Sequence, residues 1–155
     1  MQNSRAFTAF TFLIFVGTFC MLSSCKKIKQ NYIMNGEWDV LEVTLNGGSL
    51  NQMEQFLPGF TTGSDCCSYV MSFEDEGFCS TILTIDGDIT EYSEGEWDMP
   101  NRNQLYFKVD EYVDGTFDLS KEGDGVWILD APVNNIEAYG VGLVEMRIRT
   151  RRIKN

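Results

Sequence analysis

Among its 155 residues the chain has no histidine. That absence removes the Ser-His-Asp and Cys-His relays and the commonest transition-metal ligand. Proline is scarce, at three residues, and basic side chains are scarcest where the chain is most acidic. Between residues 30 and 146 only Arg102, Lys108 and Lys121 stand against all 23 acids. So acidic a body repels phosphate backbones, whose binding depends on basic surface that releases counterions, and nucleic acid is not an expected partner. From Glu37 onward no stretch keeps a 3.6-residue apolar period for longer than a turn or two, which argues against a helical fold.

The abundant acids also lack a chemical register. Asp86-Gly87-Asp88 and the group Asp110, Asp114, Asp118, Glu122 and Asp124 gather near turns. Neither has the alternate acids, sixth-position glycine and twelfth-position glutamate of a calcium loop of the EF-hand kind. Three cysteines without histidine make a poor zinc set. No metal or other cofactor is therefore expected. Nothing in the sequence brings two carboxylates together as glycoside cleavage requires, so no enzymatic activity is expected, with a carboxylate-based hydrolase of envelope glycans as the remote alternative.

What is present begins with the first 24 residues. They carry a single charge, Arg5, followed by an apolar run from Ala6 to Leu22 that is too short and too interrupted by Thr8, Thr11, Gly17 and Thr18 for a membrane span of about 20 residues. A basic start and a short apolar core are the layout of a secretory signal peptide. The run ends in Leu22-Ser23-Ser24-Cys25, which resembles the lipobox of bacterial lipoproteins. That resemblance implies cleavage before Cys25, attachment of diacylglycerol to its thiol, and a palmitate-type acyl anchor in the membrane. Lys26 follows where an aspartate would mark inner-membrane retention, which favours the outer membrane. No acidic tract follows the cysteine, which favours a periplasm-facing position over surface display. The expected organisation is a signal peptide over 1–24, a lipidated tether over 25–35 whose lysines sit against anionic headgroups, and one folded domain over 36–155.

The domain reads as short strands divided by turn signals. Strands are expected over Glu37–Asn46, Cys67–Glu74, Phe78–Ile85, Asp88–Tyr92, Glu96–Met99, Gln104–Asp110, Thr116–Ser120, Val126–Asp130 and Gly140–Ile153. Asp86-Gly87 is the strongest hairpin signal and Asp114-Gly115 reads as another tight turn. A short helix is expected over Asn51–Leu57, burying Phe56, Leu57 and Phe60. Acidic Glu37 and Asp39 alternate with Trp38 and Val40, while Arg147, Arg149 and Arg151 alternate with Met146, Ile148 and Thr150. Pairing of the first and last strands would set acids against arginines outside, bring the apolar sets together inside, and close an antiparallel up-and-down β-barrel of about eight strands.

Gly36-Glu37-Trp38 opens the domain with Gly-x-Trp, and Gly95-Glu96-Trp97, Leu105-Tyr106-Phe107, Trp127-Ile128-Leu129 and a closing aliphatic and arginine strand follow in order. This order resembles the lipocalins and lipocalin-like lipoproteins over residues 35 to 153. The resemblance implies a barrel whose Trp38 packs at the closed end against an arginine of the last strand, for which Arg147, Arg149 and Arg151 are the candidates. Trp38, Trp97, Trp127, Tyr69, Phe73, Tyr106 and Phe107 are the candidates to line a pocket for a small apolar ligand. The alternative is an interaction or scaffold module with a filled core, since eight strands enclose little more than their own side chains. The expected partners are the membrane, through the N-terminal lipid, and either such a ligand or an envelope protein.

Cys66, Cys67 and Cys79 are the thiols left to the mature domain once Cys20 departs with the leader and Cys25 takes lipid. In an oxidising compartment two of three are expected to pair, and the reading is Cys79 with Cys66 or Cys67.

Overall fold

The computed structural model describes residues 33–109, 112–132, 136–138 and 142–154, the segment 136–138 by its backbone alone. The leader, Cys25 and the tether up to residue 32 lie outside the described residues. The elements are β1 (Gly36–Leu45), α1 (Met53–Phe56), β2 (Cys67–Phe73), β3 (Phe78–Ile85), β4 (Asp88–Asn101), β5 (Gln104–Val109), β6 (Val113–Gly123), β7 (Val126–Ala131), β8 (Ile136–Ala138) and β9 (Met146–Arg152). Every pairing is antiparallel.

Neighbour follows neighbour from β1 to β7, β7 pairs with β9, and β9 returns to β1, so the sheet closes. β7 and β8 lie on the same side of β6, opposite residues 118–123 and 113–115, and together form one interrupted stave. The result is a closed eight-stave barrel.

Closure rests on β1 and β9, as the alternation of their residues predicts. Trp38 lies opposite Arg152, Asp39 opposite Arg151 and Val40 opposite Thr150; a bulge at Leu41 then shifts the register so that Glu42 faces Arg149. Even-numbered Met146, Ile148 and Thr150 point inward and are buried, while Arg147, Arg149 and Arg151 point outward. The interior is aromatic. Phe73 packs edge-on against Trp97 at 5.4 Å and Phe107 at 5.8 Å, and Phe107 stacks on Phe117 at 4.8 Å. Each such burial contributes about 1.5–3 kcal/mol, the main favourable term of the fold.

The two barrel ends differ. One carries short reversals at 74–77, 102–103 and 124–125, and there the chain arrives through the buried Met34; this is the closed end. The other, the loop end, carries the long 46–66 connection. β2 pairs with β1 only as far as Val70 opposite Asp39. Beyond that point the side chain of Asn51 takes over the bare edge, accepting from Val43 N at 3.1 Å and donating to Leu41 O at 3.4 Å, while Gln52 N donates to Val43 O at 2.7 Å. This docks α1, which buries Met53, with Leu57 just beyond it; Phe56 and Phe60, expected inside, are only half-buried.

Three local expectations are corrected. β4 runs unbroken through Gly95 to Asn101, where two strands were expected. Asp114-Gly115 is not a turn but part of β6: the reversal comes earlier, with Tyr112 N donating to Val109 O at 3.1 Å. Gly115 is buried opposite Phe107. The last strand starts at Met146 rather than Gly140.

Gly95 has a steric reason to be glycine. A Cβ there would sit 1.9 Å from Lys108 O, a backbone atom of the neighbouring strand that cannot swing aside. Gly95→Ala is expected to destabilise the barrel by about 2 kcal/mol or more. Gly123→Ala, with nothing within 4 Å of its Cβ, should stay within about 0.5 kcal/mol of wild type. Urea denaturation of the two variants decides it.

Candidate functional site

Two places gather the residues singled out by the sequence: the closed end of the barrel and its outer wall. At the closed end Trp38 has no solvent exposure. Its Nε1 donates to Met34 O at 2.7 Å, and Trp127 meets it edge-on at 6.4 Å. The guanidinium of Arg152 lies 5.6 Å from the Trp38 ring centre and donates through Nη2 to Asn35 O at 2.6 Å. The arginine that covers Trp38 is therefore Arg152, and not Arg147, Arg149 or Arg151. Parity explains the difference: Met146, Ile148 and Thr150 point inward, so the arginine on the Trp38 face must be even-numbered. That signal was available in the sequence.

The remaining pocket candidates separate. Tyr69, Phe73, Trp97 and Phe107 are buried inside, and Trp127 is half-buried at the closed end. Tyr106 does not line the interior: it alternates with the inward Leu105 and Phe107, faces outward, and its hydroxyl donates to Asp114 at 3.2 Å. A partly open pocket of about 20 Å³ lies between the inward Val40, Tyr69, Met71, Phe107 and Ile148. That volume is room for about one water.

On the outer wall, strands β6, β7, β9 and β1 floor an open groove of about 430 Å³, with Gly48 and Ser49 along one side. Its charged residues are Glu42, Glu122, Asp130, Arg147 and Arg149. Arg147 forks onto Asp130 through Nε at 2.8 Å and Nη2 at 2.9 Å, and Arg149 Nε meets Glu122 at 2.6 Å. Both arginines thus pair away from β1, with acids of β6 and β7, rather than with Glu37 or Asp39. Glu37 faces Ser72 and its carbonyl accepts from Ile153 N at 3.0 Å. Of the nominated closing residues, only Asp39 and Arg151 stand opposite one another.

The disulfide is also corrected. Cys66 bonds its neighbour Cys67, and Cys79 is free and buried. Cys79 lies opposite Phe73 while Cys67 lies opposite Ile85, at the far end of the same hairpin. Six residue steps at about 3.3 Å each put them roughly 20 Å apart, beyond any disulfide. Burial, with Glu96 adding to it, pushes the Cys79 thiol up to about 12, so it stays protonated and inert at neutral pH. Among the described residues no three Cys, Asp or Glu side chains converge to hold a metal ion.

No family model matches the chain, and no curated protein matches it.

Two measurements test this account of the barrel wall and its closed end. Trp38→Ala opens a cavity in a fully buried site and should cost about 3–5 kcal/mol, whereas Arg149→Gln breaks a half-exposed pair and should cost under about 1 kcal/mol. Equal losses in denaturant titrations would contradict it. The second concerns Asp39, whose carboxyl burial pushes above its ordinary 3.8, with Arg151 pulling back only in part. A carboxyl raised on folding lends stability below its unfolded value and loses it as pH rises through the folded one. Asp39→Asn should therefore gain stability relative to wild type between about pH 3 and pH 7, read as the difference in unfolding midpoints.

Proposed function

We propose that the protein is a lipid-anchored lipoprotein of the bacterial cell envelope, attached through Cys25 and facing the periplasm from the outer membrane, with a non-enzymatic, lipocalin-like barrel that binds an envelope partner on its outer wall. One contrast among the described residues supports a partner over an internal ligand: a pocket of about 20 Å³ between inward side chains against a groove of about 430 Å³ outside. An apolar ligand taken between those inward side chains would have to displace rings that already pack on one another, at the cost of the contacts that hold the barrel. The outer groove offers hydroxyls, carboxylates and two arginines at the surface, the composition of a polar recognition site. The anchor is supported by the leader and its lipobox-like end, and three tether lysines suit an anionic membrane surface.

Cys25→Ala is expected to abolish incorporation of an alkyne-tagged palmitate and to leave uncleaved precursor in the membrane fraction. A variant that is still labelled and processed overturns the lipoprotein reading. Native mass spectrometry of the protein extracted from its own cells addresses the barrel. A stoichiometric apolar small molecule would overturn the partner reading in favour of an internal ligand.

A further inference from the structure

The groove on the outer wall carries charge that it does not balance itself. Of its three carboxylates, Asp130 is taken by Arg147 and Glu122 by Arg149. Glu42 stands opposite Arg149 in the register of β1 and β9, but that guanidinium turns to Glu122 instead. A fourth carboxylate lies at the loop-end margin. Exposure alternates along the chain into β9, with Leu143, Glu145 and Arg147 out and Val144 and Met146 buried, so Glu145 continues the outward row about 7 Å from Arg147. Among the described residues no basic side chain pairs with Glu42 or Glu145. Both act on Arg147, which is held above its ordinary value first by the hydrogen bond and charge of Asp130, then by Glu145 and Glu42. Four carboxylates against two arginines leave the site negative.

Hydrogen-bonding groups are left over as well. Thr44 lines the groove at only 8% exposure, and its hydroxyl has no partner among the described residues. A buried polar group is ordinarily hydrogen-bonded, so this one points to a ligand. Ser49 and Ser120 add two more hydroxyls to the lining. Two large apolar side chains stand exposed beside the same margin: Leu50, next in the chain to Ser49, at 74%, and Leu143 at 56%.

We propose that the groove takes an extended segment of a partner protein in which basic side chains outnumber acidic ones, with apolar residues at the end that meets Leu50 and Leu143. The inference rests on the partner reading above and names the chemistry of that partner. A simple anion does not suit the site, since it would have to break both arginine pairs and approach four carboxylates. A peptide matches all three features together. Its ammonium or guanidinium groups answer Glu42 and Glu145, its backbone answers the hydroxyls, and its apolar side chains cover the leucines.

The probe is the peptide acetyl-Lys-Ser-Lys-Leu-Leu-amide, titrated calorimetrically into the full protein in nonionic detergent, with acetyl-Glu-Ser-Glu-Leu-Leu-amide as its acidic counterpart. The basic peptide is expected to bind and the acidic one not to. Glu42→Gln combined with Glu145→Gln should weaken the basic peptide by about fivefold or more, and Thr44→Val should weaken it further. Glu94→Gln combined with Glu96→Gln removes the same charge from exposed residues of β4, outside the groove floor, and should leave binding within about twofold of wild type. Equal weakening by the two pairs would reveal attraction to the acidity of the whole protein and overturn the inference. Binding of the acidic peptide, lost on Arg149→Gln, would keep the groove as a partner site and overturn the charge assigned to the partner. Binding of neither peptide also overturns the inference. The partner reading itself fails on a separate observation, the apolar small molecule of the native mass spectrum.

Discussion

The pairing of β1 with β9 fixes which way every side chain of the last strand points, and the rest of the barrel is built around that choice. With Val40 opposite Thr150, the even residues of β9 go inside and the arginines go out. A slip of one residue would drive Arg147, Arg149 and Arg151 into an aromatic interior, where an uncompensated charge costs far more than any surface ion pair returns. The bulge at Leu41 accommodates this: it shifts β1 by one position and keeps Val40 and Val43, on either side of it, both buried. At the end of the same row, Arg152 is the one arginine of β9 on the inner face. It escapes burial because it sits at the rim of the closed end, covering Trp38 and donating to Asn35 O.

Period-two alternation made this architecture legible in the sequence. Glu37 to Val40 and Met146 to Arg151 announced both the pairing and its inner face, and Asp86-Gly87 announced the β3–β4 hairpin that forms. What was not legible follows from features that alternation does not encode. Asp114-Gly115 has turn chemistry, but the reversal falls earlier because Val113 is needed inside opposite Val109. Glu76 and Gly77 both take positive φ, and the resulting turn sets Cys79 opposite Phe73, at the far end of the hairpin from Cys67. The groove on the wall was not foreseen at all, since it joins residues from β1, β6, β7 and β9 that only closure brings side by side.

The cysteines show how composition misleads when geometry decides. Three thiols in a small domain suggest a staple across the fold, yet the bond formed links chain neighbours with Cα atoms 3.8 Å apart. Closing so small a ring removes little freedom from the unfolded chain, and the entropic gain of a disulfide grows with the loop it closes. The long 46–66 connection is held instead by Asn51 on the bare edge of β1 and by Met53 and Leu57 in the interior. Stability therefore resides in closure and in aromatic packing, with the disulfide confined to a local constraint at the foot of β2.

Packing of this kind also shapes what binding can mean for the molecule. On the partner-binding reading proposed above, recognition falls to side chains that the barrel does not need for its own cohesion. Arg147 and Arg149 answer that description. Each is satisfied by one carboxylate of the same wall, in pairs whose side chains are between 36% and 60% exposed. Pairs at such exposure contribute no more than about 1 kcal/mol, so exchanging Asp130 or Glu122 for a carboxylate of a docking partner costs the fold little. The released acid then becomes available to a basic group of the same partner. Ion pairs that are weak for stability are in this way suited to be remade across an interface, where their geometry selects the partner and its orientation more than it sets the affinity.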